Sequence, residues 1–213
     1  MNPVRAAIAG VIVGTLLLTL AAYPLLPQSL ATHWDASGAV NGWMDKTTGL
    51  AVVPLILIVC AGLFLLLPRI DPLKDNYERF RRWYDGFVLA FSLFLLAVQA
   101  LIILWNMGYP VRMDVFLPIL LGLLFIYSGF LVRHAKPNWF VGIRTPWTLS
   151  SPTVWAKTHE RGGWLFVIAG IISCMGALAG PYAVAFILVP LLAVSAYLVA
   201  YSYMLYRREM AGR

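Results

Sequence analysis

Between Arg161 and Arg207 the chain carries no charged residue at all. One helix of about 45 residues, rising 1.5 Å per residue, would be about 70 Å long, while the hydrocarbon core of a bilayer is about 30 Å thick. The stretch must therefore fold back on itself, and Gly180-Pro181 is the natural break. Four more uncharged runs precede it, near residues 6–23, 48–67, 86–107 and 115–132. The first, closed by Pro24 and Pro27, has the position of a cleaved signal peptide. It is long, no small-x-small cleavage site follows, and more spans come after it, so it reads as a retained helix. The expectation is an all-α integral membrane protein with six transmembrane helices.

Composition and charge agree. Hydrophobic residues make up 61% of the chain and charged residues 12%, against roughly 25% charged in soluble domains. A soluble domain of this length could not bury so much apolar surface. The formal net charge of +7 is not read as a nucleic-acid footprint, because excess Lys and Arg in a membrane chain gathers in cytoplasmic loops. With the N-terminus inside, only Lys46 and Arg112 of the 16 basic residues fall outside. Both termini are thus expected in the cytoplasm, with an ordered outer loop at 28–46 and an ordered inner loop at 133–161. A two-span unit (1–70) and a four-span unit (71–213) follow from the same reading. Cys60 and Cys174 sit inside apolar runs and imply no disulfide framework.

The segment DPLKDNYERFRRWY, before the third span, reads as a helix continuous with that span. Asp71 would cap it, Pro72 would take its first position, and Asp75–Arg79 and Glu78–Arg82 would form i,i+4 pairs. Tyr77, Phe80, Tyr84 and Phe87 would share one face, as an aromatic belt at the interface or a docking site for a cytosolic partner. Gly10/Gly14 and Gly176/Gly180 form GxxxG pairs, expected to serve packing within the chain ahead of dimerisation.

No phosphate-binding loop, dinucleotide fingerprint, HExxH or zinc-spaced cysteine set is present. The spans hold almost no ionisable side chain: Asp85 sits at an inner end, and Gln99 and Asn106 are uncharged. A transporter coupled to protons or sodium usually carries carboxylates or histidines at mid-membrane depth. No catalytic residue, cofactor or metal is expected. His33, Asp35 and Asp45 are able to ligate a metal, but their spacing matches no recognised site.

Two loops hold the chemistry. HWDASGAVNGWMDK, from His33, carries turn residues Gly38, Asn41 and Gly42 and the interface-suited Trp34 and Trp43. It reads as a cap on the outer leaflet or as a recognition surface. KPNWFVGIRTPWTL, from Lys136, cannot be a regular helix, because Pro137 and Gly142 interrupt it. Trp139, Phe140 and Ile143 should pack under the bundle or dip into the interface, and Arg144, expected to hold the segment, needs carboxylate, carbonyl or phosphate partners. Ser151-Pro152 then starts a helix carrying Trp155 and His159 one turn apart. A catalytic pairing of His159 with Glu160 is disfavoured, since adjacent helical residues do not face each other.

The stretch NWFVGIRTPWTLSSPTVWAKTHERGG looks like the signature of the SdpI family of bacterial immunity proteins. HWDASGAVNGWMDK, with Pro24 and Pro27 before it, resembles the domain of unknown function that often forms that family's N-terminal half. The family pattern falls on Asn138, Gly142, Arg144, Thr145, Pro146, Trp147, Thr148, Leu149, Trp155, His159 and Gly162, and on His33, Trp34, Gly38 and Trp43. The resemblance implies a six-span protein of the cell membrane that protects a bacterium from a secreted killing peptide. It also implies capture of a transcriptional repressor at the membrane. The expected partners are the bilayer, a peptide toxin at the outer face and a cytosolic repressor at the inner face, without direct contact to nucleic acid. Asp35 and Asn41 join the candidate contact residues. The other readings are a membrane enzyme or transporter acting on a lipid or envelope precursor, which a cleft joining either loop to the bundle would favour, and a structural scaffold. The oligomeric state is left open.

Overall fold

A computed structural model describes residues 3–212; Arg213, counted above among the inner cations, lies outside them. The chain runs α1 (Pro3–Ala22), β1 (Ser29–Trp34), β2 (Val40–Asp45), α2 (Lys46–Ile70), α3 (Asp75–Glu78), α4 (Arg81–Asn106), α5 (Met113–His134), α6 (Pro146–Ser150), α7 (Pro152–Met175) and α8 (Ala183–Ala211). Six of these helices, α1, α2, α4, α5, α7 and α8, are long and apolar enough to cross a membrane. The protein is multi-pass. The charge-free stretch folds back where expected, through two short 3-10 turns at 176–178 and 180–182 in which Gly180 takes a positive φ of 54°.

One end of the bundle carries the β1–β2 hairpin; the other carries α3 and the 135–151 segment, which we call the cap. Core clusters mark both ends. Ala22, Leu26, Leu30, Leu50 and Ile103 pack beneath the hairpin. Tyr77, Phe80, Tyr84, Leu131, Ala135 and Trp155 pack beneath the cap.

The tightest helix pairing is one the sequence reading overlooked. Gly122 and Gly129 on α5 face Gly170 and Gly163 on antiparallel α7. A Cβ on Gly129 would lie 2.5 Å from the Gly163 carbonyl oxygen, and one on Gly170 would lie 2.5 Å from that of Gly122. The two glycines of each helix are seven residues apart, two turns, so both fall on one stripe and the backbones touch. The expected GxxxG packing is found only in part. Gly176 abuts Phe186 and Ala183, but Gly10, Gly14 and Gly180 have nothing within 4 Å of a Cβ.

The spans are all helical as expected, and the ordered outer loop takes the form of an antiparallel hairpin over residues 29–45. One other expectation needs correction: the charged lead-in is not one helix. α3 lasts four residues, the chain turns at Arg79–Phe80, and α4 starts afresh at Arg81. Asp71 ends α2, and its carboxylate accepts from the Leu73 N–H (2.7 Å) to close the 72–74 turn, while α3 starts only at Asp75. Glu78 pairs with Arg81 and not Arg82. The break lets Tyr77, Phe80 and Tyr84 turn inward as a buried cluster, with ring centroids 5.1 to 6.4 Å apart. Phe87 lies at the margin of this cluster, edge-on to Phe64 and stacked on Phe91.

The glycine stripe predicts that Gly129→Ile and Gly163→Ile each destabilise the purified protein by about 1–3 kcal/mol, whereas Gly10→Ile leaves its thermal unfolding in detergent unchanged. Equal melting of all three variants would contradict the close backbone approach.

Candidate functional site

At the hairpin end, turn chemistry closes the strands. The Asp35 carboxylate accepts from the Ser37 N–H (2.8 Å), the Ser37 hydroxyl (2.6 Å) and the Ala39 N–H (3.1 Å). The Ser37 hydroxyl and then its N–H hold that carboxyl below its usual pKa. Gly38 supplies the positive φ of 82°. Opposite His33 the strand must have Gly42, since a Cβ there would meet the His33 Cβ at 2.9 Å.

The hairpin is fastened by α4. The Asn106 side chain accepts from the Ala31 N–H and donates to the Ala31 carbonyl, both at 2.9 Å. A side-chain amide thus serves as the next strand would, on the edge β2 leaves open. Beside it, Trp105 stands edge-on to Trp34 (5.7 Å) and Trp43 (6.1 Å). Trp34 packs into the bundle, while Trp43 remains 57% exposed. His33 donates to Asn41, Asp35 closes the turn, and Asp45 caps α2 through the Thr48 N–H (3.0 Å), so these three side chains are engaged separately. Among the described residues no three His, Cys, Asp or Glu side chains converge.

At the other end the cap is irregular backbone whose polar groups are met by buried side chains. Asn138 is completely buried. Its amide donates to the carbonyls of Lys136 and Val141, each at 2.8 Å, and its Oδ1 accepts from the N–H groups of Phe140 (2.9 Å) and Val141 (2.6 Å). Asp71, buried at the end of α2, accepts from the Trp139 N–H (2.9 Å) and the Tyr77 hydroxyl (3.2 Å). Burial, then the neighbouring Asp71, pushes the Tyr77 phenol above its ordinary pKa. Asn76 donates to the Pro137 carbonyl at 2.7 Å.

His159 forms the floor. Its Nδ1 donates to the Trp155 carbonyl (2.9 Å), so its Nε2 is the acceptor for the Ile143 N–H (3.0 Å). The ring stacks on Trp155 at 3.9 Å, and the Trp155 indole donates to the Ala135 carbonyl at 3.0 Å. Gly142, with φ of 114°, lies where any Cβ would collide with His159 Nε2. A Cβ on Gly162 would press on the tip of the Ile143 side chain, at 2.3 Å from its Cδ1.

Thr145 and Thr148 form a capping box at the start of α6, whose first residue is Pro146. Thr145 Oγ1 lies 3.1 Å from Ser202 Oγ on α8, and Trp147 packs against Tyr203 at 5.0 Å. Ser151 caps α7 and donates to Glu209. Arg144 is exposed and, among the described residues, donates to the Trp139 carbonyl, one of the partners expected for it; the buried contacts that hold the segment are those of Asn138, Asp71 and His159. Trp139 and Phe140 are exposed as well.

The structure thus brings Asn138, Gly142, Thr145, Trp147, Trp155 and His159 into one cap, and His33, Trp34, Asp35, Gly38, Asn41 and Trp43 into one hairpin at the far end. Sequence reasoning missed the roles of Asp71, Tyr77 and Asn106. The available signal was a polar residue at the edge of an apolar run, which costs free energy unless it has partners.

Residues 134–204 match the SdpI/YfhL protein family. Residues 10–58 match the domain of unknown function DUF1648. The cap lies within the SdpI-like segment and the hairpin within the other. The chain is also 24% identical over 198 residues to the protein named immunity protein SdpI of Bacillus subtilis (strain 168), covering 92% of this chain and 93% of that protein. No solved structure matches.

If Asn138 organises the cap, Asn138→Asp removes two donors and sets a carboxylate beside Asp71. Each lost hydrogen bond is worth about 1 kcal/mol. Tryptic cleavage after Arg144 in the solubilised protein should then speed up by about tenfold or more, with the spans intact. Unchanged cleavage would contradict the role given to Asn138.

Proposed function

We propose that this chain is a membrane immunity protein, protecting the cell that carries it from a secreted peptide toxin by binding and not by turnover. The full-length likeness to a curated immunity protein, across both the hairpin and the cap segments, carries this reading. The strong excess of Lys and Arg at the cap end argues that this end faces the cytoplasm of a bacterial cell and the hairpin faces outward. The toxin then meets an anchored hairpin presenting the exposed Trp43 ring beside Trp105 and Trp34. Large aromatics on a rigid support dominate recognition energetics. His33, Asn41 and Asp35 flank the rings.

The inner cap, with Trp139, Phe140 and Arg144 exposed on an ordered frame, is the surface we assign to a cytosolic repressor. The two ends are joined by one helix: α2 starts at the hairpin, with Asp45 as its cap, and finishes at Asp71, which binds the cap through Trp139. A membrane enzyme or transporter acting on a lipid or envelope precursor is the competing reading. Against it, both nitrogens of His159 are committed to backbone groups.

The test is protection. Expressed in a Bacillus subtilis strain lacking the SdpI relative, the chain should restore survival against that strain's secreted toxin, and Trp34→Ala with Trp43→Ala should abolish it at equal membrane expression. In the same cells Ser37→Cys should react with an impermeant maleimide from outside. No protection by the wild-type chain, or labelling only in inverted vesicles, overturns the proposal.

A further inference from the structure

A cavity of about 550 Å³ lies beside the cap, between the α3–α4 corner, the end of α5 and the first turns of α7. Arg79, Arg133, His134, Lys136 and Glu160 line it. Arg79, Arg133 and Lys136 have no carboxylate partner among the described residues, and Glu160 has no cation partner. Three fixed positive charges therefore share one space with a single carboxylate. Like charges brought together by a fold repel unless a counter-charge enters.

The surroundings point to the chemistry of that counter-charge. The Arg133 guanidinium is held 4.6 Å over the ring of Trp164, which is itself half exposed on the membrane-spanning part of α7. His134 stacks on Trp83 at 4.1 Å and gives its Nδ1 hydrogen to the Phe130 carbonyl (2.8 Å), leaving Nε2 as the remaining ring nitrogen. Guanidinium groups match tetrahedral phosphate with forked hydrogen bonds, and ammonium groups add point charge. Basic pockets at the cytoplasmic ends of spans are placed at the depth of phosphate headgroups.

We propose that this cavity is a phosphate-binding site, in which Arg79 and Lys136 contact the anion, Arg133 closes its membrane side, and Glu160 limits the net charge. The phosphate has two possible sources, an anionic lipid headgroup entering from the bilayer or a soluble phosphate compound entering from the aqueous side. The proposal depends on the membrane fold and not on the immunity reading.

Delipidated protein in detergent tests it in two arms. Native mass spectrometry measures retained phosphatidylglycerol, and thermal unfolding measures stabilisation by inorganic phosphate. Arg79→Gln and Lys136→Gln, both at exposed positions that leave the fold intact, should each weaken the responding arm by about tenfold. Glu160→Gln should strengthen it, a change of opposite sign that loss of structure would not produce. Arg112→Gln, whose partner Asp114 lies at the hairpin end, should do nothing. A response to phosphatidylglycerol alone assigns the lipid; a response to inorganic phosphate assigns the soluble ligand. No binding in either arm, or equal binding by the wild type and both glutamine variants, overturns the proposal.

Discussion

Backbone N–H and C=O groups at a membrane have few places to go. Within helices they are satisfied internally; in irregular segments near lipid, something else must meet them. This chain has two such segments and the same remedy at both. A carboxamide, half-buried Asn106 at the hairpin and buried Asn138 in the cap, donates and accepts at once. Asp71 and the Nε2 of His159 complete the cap. Asn106, Asp71 and His159 each come from a span or its end, and through them the loops inherit the rigidity of the bundle.

That arrangement accounts for the residue types of the cap. Its glycine at 142 is set by His159 occupying the space, and the position of His159 is set by its stack on Trp155. Trp155 in turn is fixed by the Ala135 carbonyl at the end of α5, and α5 is fixed to α7 by the glycine stripe. A change at any of these points is felt at the others, because packed backbones have no slack to absorb it.

The six spans were legible from charge-free runs alone, since bilayer thickness converts run length directly into topology. The Gly180-Pro181 turn was legible for the same reason. The hairpin was not. Its alternation is short and mostly polar, and what stabilises it, Asn106, lies far along the chain. The break between α3 and α4 was hidden because its pattern of charges and aromatics also fits a continuous helix; burial of Phe80 and Tyr77 decides the matter, and burial is a tertiary fact. Arg144 drew attention as the lone charge among apolar neighbours, yet it faces outward. The neutral Asn138, able to offer two donors and two acceptor lone pairs, does the organising. GxxxG drew attention over the true stripe because its spacing is familiar, while glycines seven apart become visible only once the partner helix is known.

The central claim is that the cap is ordered through buried side-chain partners. Amide hydrogen exchange of the protein in nanodiscs measures this most directly. The N–H groups of Trp139, Val141 and Ile143 should be protected in the wild type. Asn138→Leu should release Val141, and His159→Phe should release Ile143, while the spans stay protected. Exchange of these three amides at free-peptide rates in the wild-type protein would contradict the account.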